Sequence, residues 1–205
     1  NSKKEQIENS TILEKLELVN SEYFIDSVHR EENVDNKENL QKVVDCLNAL
    51  YDQYGYPVVV STHPRTKNRL EKLDCDFGER DIRFLKPFGF FDYNKLQKES
   101  LCAISDSGTI SEESAMLDFP AITLRNSIER PEALDAGSII LSGLFPDVLL
   151  NAVDLVIQES ELYSVREVPV EYQITNTSLR VLKIIMGTAK LTNRWKNMDN
   201  FSRYE

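Results

Sequence analysis

The chain has two histidines, His29 and His63, and each stands just after a short apolar run. Val28-His29-Arg30-Glu31-Glu32-Asn33 follows one such run and Ser61-Thr62-His63-Pro64-Arg65 a second. Ser105-Asp106-Ser107-Gly108-Thr109 follows a third, and the stretch from Leu124-Arg125 to Arg130-Pro131 a fourth. A neutral imidazole can donate to a phosphate oxygen or exchange a proton near neutral pH. An arginine donates to phosphate as a fork. A turn of small residues leading into a helix aims unpaired amides outward, where the helix dipole favours an anion. Both histidines and four arginines (Arg30, Arg65, Arg125 and Arg130) share these segments, which together describe a locally positive site for a small anion.

Each residue has a blander reading beside the chemical one. Gly108 would let the backbone approach a phosphate closely and the Ser107 hydroxyl adds a donor, but small polar residues also make an ordinary capped helix start. Thr109-Ile110-Ser111-Glu112 has the form of a capping box, in which Glu112 returns to the Thr109 amide. That leaves Glu113 without a capping duty. At ~1.5 Å per residue, Glu113 lies roughly 9 Å along the helix from Ser107, the reach of a ribose attached to a diphosphate at the helix start. Its carboxylate can accept two vicinal hydroxyls, or simply be a solvated surface group. His29 could be a hydrogen-bonded structural residue, and His63 with Pro64 could shape a turn. Arg125 and Arg130, taken singly, read as surface ion-pair partners. The aromatic segment Lys86 to Tyr93 could stack on a base or pack beneath a loop.

Holding four such loops together requires strands that end side by side. Apolar runs at Tyr23–Val28, Val58–Val60, Ile82–Leu85, Leu101–Ser105, Ala121–Leu124 and Ser138–Leu141 read as strands. Helices are expected between them at Asn36–Tyr54, through Leu70 and Leu73, at Tyr93–Glu99 and at Thr109–Leu117. Two more are expected near Asp147–Glu159 and Ser178–Met186. The first of these helices has Leu40, Val43, Val44, Leu47 and Leu50 at helical spacing, with Gly55 as its stop. This alternation predicts an α/β fold with a Rossmann-like, doubly wound parallel sheet, which binds ligands beyond the carboxyl ends of its strands.

The bulk composition narrows the function. Of 205 residues, 41% are hydrophobic, enough for a substantial core, and the net charge of −10 argues against sequence-independent nucleic-acid binding. No run of 18 apolar residues suggests a membrane span. Cys46, Cys75 and Cys102 match neither a zinc site nor a disulfide framework, so no metal is expected and a reducing, cytoplasmic setting is.

Taken in order, these motifs resemble one family, the non-hydrolysing UDP-N-acetylglucosamine 2-epimerases. Ser27 to Asn33 is similar to its His-Arg-x-Glu-Asn signature, and Ser105 to Glu113, then Glu129-Arg130-Pro131-Glu132-Ala133, to its C-terminal fingerprint. The similarity runs over about residues 20 to 190 and extends to the branch that forms UDP-N-acetyl-L-fucosamine. It implies the C-terminal half of a glycosyltransferase-B-like, two-domain fold. Residues 1–20 would be a helical lead-in from an N-terminal domain, 21–175 the UDP-binding domain, and 176–205, including Trp195, helices packing toward the N-terminal domain.

It also implies roles. Ser107 and Gly108 would hold the diphosphate, Glu113 the ribose, His29 and Arg130 the phosphates, with Tyr93 near uracil. Thr109 stands where the family most often has glycine. Arg30, His63 and Arg125 are further candidates. No cofactor is implied; UDP would be eliminated across C1–C2 and added back, in precursor synthesis for capsule or another surface polysaccharide. The base and other carboxylates would belong to the N-terminal domain, leaving these 205 residues inactive alone; a homodimer is implied for the full protein. A glycosyltransferase-B nucleotide-sugar domain, a hydrolysing epimerase and a non-catalytic UDP-sugar sensor are the rival readings.

Overall fold

The computed structural model describes residues 2–73, 77–128, 131–162 and 168–191; Cys75, Glu129, Arg130 and Trp195 lie outside the described residues. The chain divides into two compact units, Asn1–Pro169 and Val170–Glu205. In the first, α1 (Ser2–Glu8) and α2 (Ile12–Lys15) precede β1 (Phe24–Ser27), α3 (Glu31–Val34) and α4 (Lys37–Tyr54). Next come β2 (Val58–Ser61), α5 (Pro64–Leu73), β3 (Ile82–Leu85), α6 (Phe90–Glu99) and β4 (Cys102–Ser105). The unit closes with α7 (Ile110–Leu117), β5 (Ala121–Thr123), α8 (Pro131–Asp135), β6 (Ile140–Leu141) and α9 (Pro146–Leu162).

The six strands form one parallel sheet in the order β3-β2-β1-β4-β5-β6. This is the doubly wound arrangement expected, and the strand order reverses between β1 and β4. Burial on both faces explains why Val58-Val59-Val60 is apolar throughout rather than alternating. On one face, Phe24, Val58, Val60, Cys102, Ile104 and Ile122 pack with Val43, Cys46, Leu47 and Leu50 of α4 and Leu149, Val153 and Val156 of α9. Cys46 behaves as a small apolar residue: burial, then the charges of Asp26, Asp45 and Asp147, pushes its thiol up to about 12.

Local chemistry fixes the element ends. Asn36 caps α4, its Oδ1 accepting the Glu38 and Asn39 amides at 2.9 and 3.3 Å. Gly55 ends that helix at a φ of 68°, a conformation glycine adopts without a Cβ penalty, and its amide reaches the Tyr51 carbonyl at 2.8 Å. The α1 and α2 segment lies against α6 within this unit. There Ser10 Oγ donates to Asp92 at 2.5 Å and Glu8 pairs with Lys95 and Lys98.

Some expected boundaries moved. The strand expected at Ser138–Leu141 is confined to Ile140–Leu141, because the Ser138 amide and hydroxyl both close α8 onto the Ala133 carbonyl, at 2.9 and 3.1 Å. The short helices α3 and α8 stand in segments that read as polar loops, α8 beginning on Pro131 where the lost donor has no helical partner anyway.

One residue breaks the apolar pattern of the core. Asp26 stands two residues from Phe24 on β1, so it shares that residue's face of the sheet. It is fully buried, and neither carboxylate oxygen has a hydrogen-bond partner. Burial first, then the charge of Asp106, holds its carboxyl well above the usual range, so the neutral acid is the form this core accepts.

The second unit contains a 3-10 turn at Val170–Gln173 and α10 (Thr177–Thr188). Leu179, Leu182, Ile185 and Met186 make an exposed apolar stripe along α10. Among the described residues, no helix is long and apolar enough to cross a membrane.

Candidate functional site

The reversal in strand order sets the carboxyl ends of β1 and β4 side by side, with Ser27 paired to Ser105. Ligands of doubly wound sheets bind in the crevice at such a point. The His29 and Ser107 loops therefore meet, although distant in sequence.

Asp106 joins them. Its carboxylate is 0% exposed and accepts the His29 amide at 3.1 and 3.2 Å, the Arg30 amide at 2.9 Å and Asn33 Nδ2 at 3.0 Å. His29 Nδ1 stands 3.2 Å from Asp106 Oδ1. The His29 side chain is 50% exposed, so the ring is open to a ligand. The Ser105 hydroxyl and the Asp106 amide both donate to the Ser27 carbonyl, at 3.0 and 3.2 Å, completing the seam.

The turn that follows differs from a capping box. Thr109 has helical backbone angles, φ −78° and ψ −10°, and makes no side-chain capping bond. An extended backbone is what lets an N-cap side chain reach back to the helix amides. Instead the Thr109 hydroxyl donates to Glu113 Oε1 at 2.8 Å and lies 3.0 Å from Ser107 Oγ, which accepts the Thr109 amide at 3.4 Å. The Ser107 amide turns inward to Ser105 Oγ at 3.0 Å. Glu113 is no free surface group: Gln97 Nε2 donates to its Oε2 at 2.9 Å.

Tyr93 on α6 belongs to the same neighbourhood. Burial foremost, then the charges of Asp26, Glu113 and Asp106, raises its hydroxyl, against a hydrogen bond from Ser27. Arg125 is buried at the end of β5. Arg30 begins α3, its guanidinium 3.9 Å from Glu32. His63 shapes its own turn, Nδ1 accepting the Arg65 amide at 3.3 Å, while Arg65 pairs with Glu31 at 2.9 Å and with Asp35. Arg130 lies outside the described residues.

A groove of about 630 Å³ along α1, α6 and α7 reaches Glu113 but not His29, Ser107 or Gly108, so it is not the crevice between β1 and β4. Among the described residues no group of three His, Cys, Asp or Glu could hold a metal ion. Asp106, Asn33 and Gln97 are the residues whose roles were not read from the sequence; the only signal was an aspartate between a strand end and a Ser-Gly turn.

A protein-family model described as UDP-N-acetylglucosamine 2-epimerase matches residues 1–186. The chain belongs to that family. The UDP-N-acetylglucosamine 2-epimerase of Methanocaldococcus jannaschii is 34% identical over 145 residues, covering 69% of this chain and 40% of the relative. The solved UDP-N-acetylglucosamine 2-epimerase of Rickettsia bellii superposes with a TM-score of 0.77 at 36% identity, over 93% of this chain and 51% of that one. The structure of Methanocaldococcus jannaschii UDP-GlcNAc 2-epimerase in complex with UDP-GlcNAc and UDP gives 0.75 at 30% identity, over 90% and 50%. The chain thus spans about half the length of these relatives, or less. In this member of the UDP-N-acetylglucosamine 2-epimerase family, His29, Tyr93, Ser107, Thr109 and Glu113 gather where β1 and β4 end.

Proposed function

We propose that this chain holds the UDP part of a UDP-N-acetylhexosamine and serves, within a longer protein, as the C-terminal nucleotide domain of a 2-epimerase. The observation that carries the reading is the seam at Asp106, which fastens the His29 loop to the Ser107-Gly108 turn at the start of α7. The diphosphate sits against that turn, taken by the helix dipole, the Ser107 hydroxyl and cationic neighbours among Arg30, Arg125 and Arg130. Glu113 receives the ribose hydroxyls and Tyr93 lies near the uracil. The solved relative in complex with UDP-GlcNAc and UDP supports this ligand class.

In the reaction, the C2–H bond breaks toward a base, C1=C2 forms, and the C1–O electron pair leaves on the diphosphate; the diphosphate oxygen then re-forms the C1–O bond while a proton is delivered to the opposite face of C2, which inverts C2. This chain's part is to stabilise the departing diphosphate. His29, beside Asp106, turns its ring toward the phosphates and donates to an oxygen there. The base lies in an N-terminal domain of the same protein, toward which the apolar stripe of α10 packs, and the full protein works as a cytoplasmic homodimer. The pathway is precursor supply for capsule or another surface polysaccharide, and the substrate is UDP-N-acetylglucosamine or the 6-deoxy-talose analogue of the fucosamine branch.

Incubating the full-length protein in D2O with each UDP-sugar tests the reading. Deuterium is expected at C2 of one of them, with UDP-sugar retained and with none incorporated by residues 1–205 alone. Free N-acetylmannosamine plus UDP would mean a hydrolysing enzyme. Sugar transfer to an acceptor without C2 exchange would mean a glycosyltransferase, and exchange catalysed by residues 1–205 alone would overturn the division of labour.

A further inference from the structure

Glu113 is gripped from two elements, one donor to each oxygen. Gln97 on α6 reaches Oε2 at 2.9 Å and the Thr109 hydroxyl reaches Oε1 at 2.8 Å. Gln97 is 1% exposed, and its own Oε1 is buried without a hydrogen-bond partner. An unpaired buried amide oxygen is unfavourable, and a methionine would fill the same space without it. Packing therefore gives no reason for glutamine at this position; the bond to Glu113 does. Thr109 likewise supplies a hydroxyl where the resemblance leads one to expect glycine.

A carboxylate has about four acceptor positions. Two donors from the protein fix its plane and leave roughly two positions for a ligand. We propose that Gln97 and Thr109 are positioning residues that lock the Glu113 carboxylate to accept two neighbouring hydroxyls of a ribose and to reject a sugar lacking one. The inference rests on the UDP reading above, in which a diphosphate at the Ser107-Gly108 turn brings the ribose to Glu113. A locked acceptor discriminates because it cannot rotate to make good a missing hydroxyl, whereas a mobile one turns to water.

Calorimetric titration of the full-length protein with UDP, 2′-deoxy-UDP and pyrophosphate tests it. The parent is expected to prefer UDP over 2′-deoxy-UDP by roughly tenfold or more. Gln97→Met should shrink that preference to within about threefold while keeping pyrophosphate affinity; Thr109→Val should shrink the preference as well, and Thr109→Ser should restore it. Should both variants keep the parent's preference while Glu113→Gln loses it, the positioning role is overturned and the ribose contact stands. Loss of pyrophosphate affinity in Gln97→Met in step with the preference would reveal a merely structural role and equally overturn it. If Glu113→Gln leaves the preference intact, or UDP binds no tighter than pyrophosphate, the UDP reading itself fails and takes this inference with it.

Discussion

Asp106→Ala is expected to abolish UDP binding and to destabilise the protein by about 3–5 kcal/mol. The carboxylate is the shared acceptor of two backbone amides and the Asn33 side chain, with His29 Nδ1 beside it. Alanine strands these donors at a partly buried seam, where each unsatisfied buried donor costs about 1–3 kcal/mol. Partial rescue by entering water keeps the total below the simple sum. Binding suffers separately, since the His29 loop and the Ser107-Gly108 turn lose the group that sets their spacing. Asp106→Asn is a useful companion, because its amide nitrogen opposes donors with a donor. Urea unfolding measures the first effect and UDP titration the second. A variant with parental stability would mean that the seam is held by the sheet alone.

The second large effect has the opposite sign. Asp26→Val is expected to stabilise the protein by about 2–3 kcal/mol at pH 7 and to raise Tm by roughly 5–10 °C. Asp26 lies in the apolar core with both oxygens unpartnered, and valine suits a strand face covered by α4 and α9. The pH dependence follows from the direction of the shift. An unfolded aspartate ionises near pH ~4, while the folded carboxyl is held well above that, so the unfolded chain releases its proton first. This group's contribution is therefore most favourable below the unfolded value and declines as pH rises toward the folded one. The gap between Asp26→Val and the parent should widen from pH 4 to pH 7, in unfolding curves taken at both. A constant gap would show that the carboxyl does not titrate as burial demands.

Much of the architecture was legible before any coordinates. Asn36, the apolar positions from Leu40 to Leu50 and Gly55 delimit α4 within a residue, because cap chemistry and helical spacing agree there. Val58 to Val60 and Ile82 to Leu85 read as strands because each is a short, largely apolar run set between turn and helix signals. The short helices α3 and α8 did not, since four or five residues show no periodicity and depend on their surroundings. Thr109 misled through pattern: the capping-box letters are present, but the turn gives Thr109 helical angles and sends its hydroxyl to Glu113. Within the site, His29, Ser107 and Glu113 could be picked out by residue type and loop position. Asp106 and Gln97 could not, because their partners lie 77 and 16 residues away and only the crossing of strand order brings the first pair together. Asp26 was hidden inside an apolar run.

The location of bound UDP is the most direct test. In an amide NMR titration of the full-length protein with UDP, the account predicts the largest shifts at Ser107, Gly108 and Thr109, accompanied by His29 and Glu113. Saturable binding that leaves those amides unmoved, with shifts confined to the groove beside Phe90 and Met116, would contradict it.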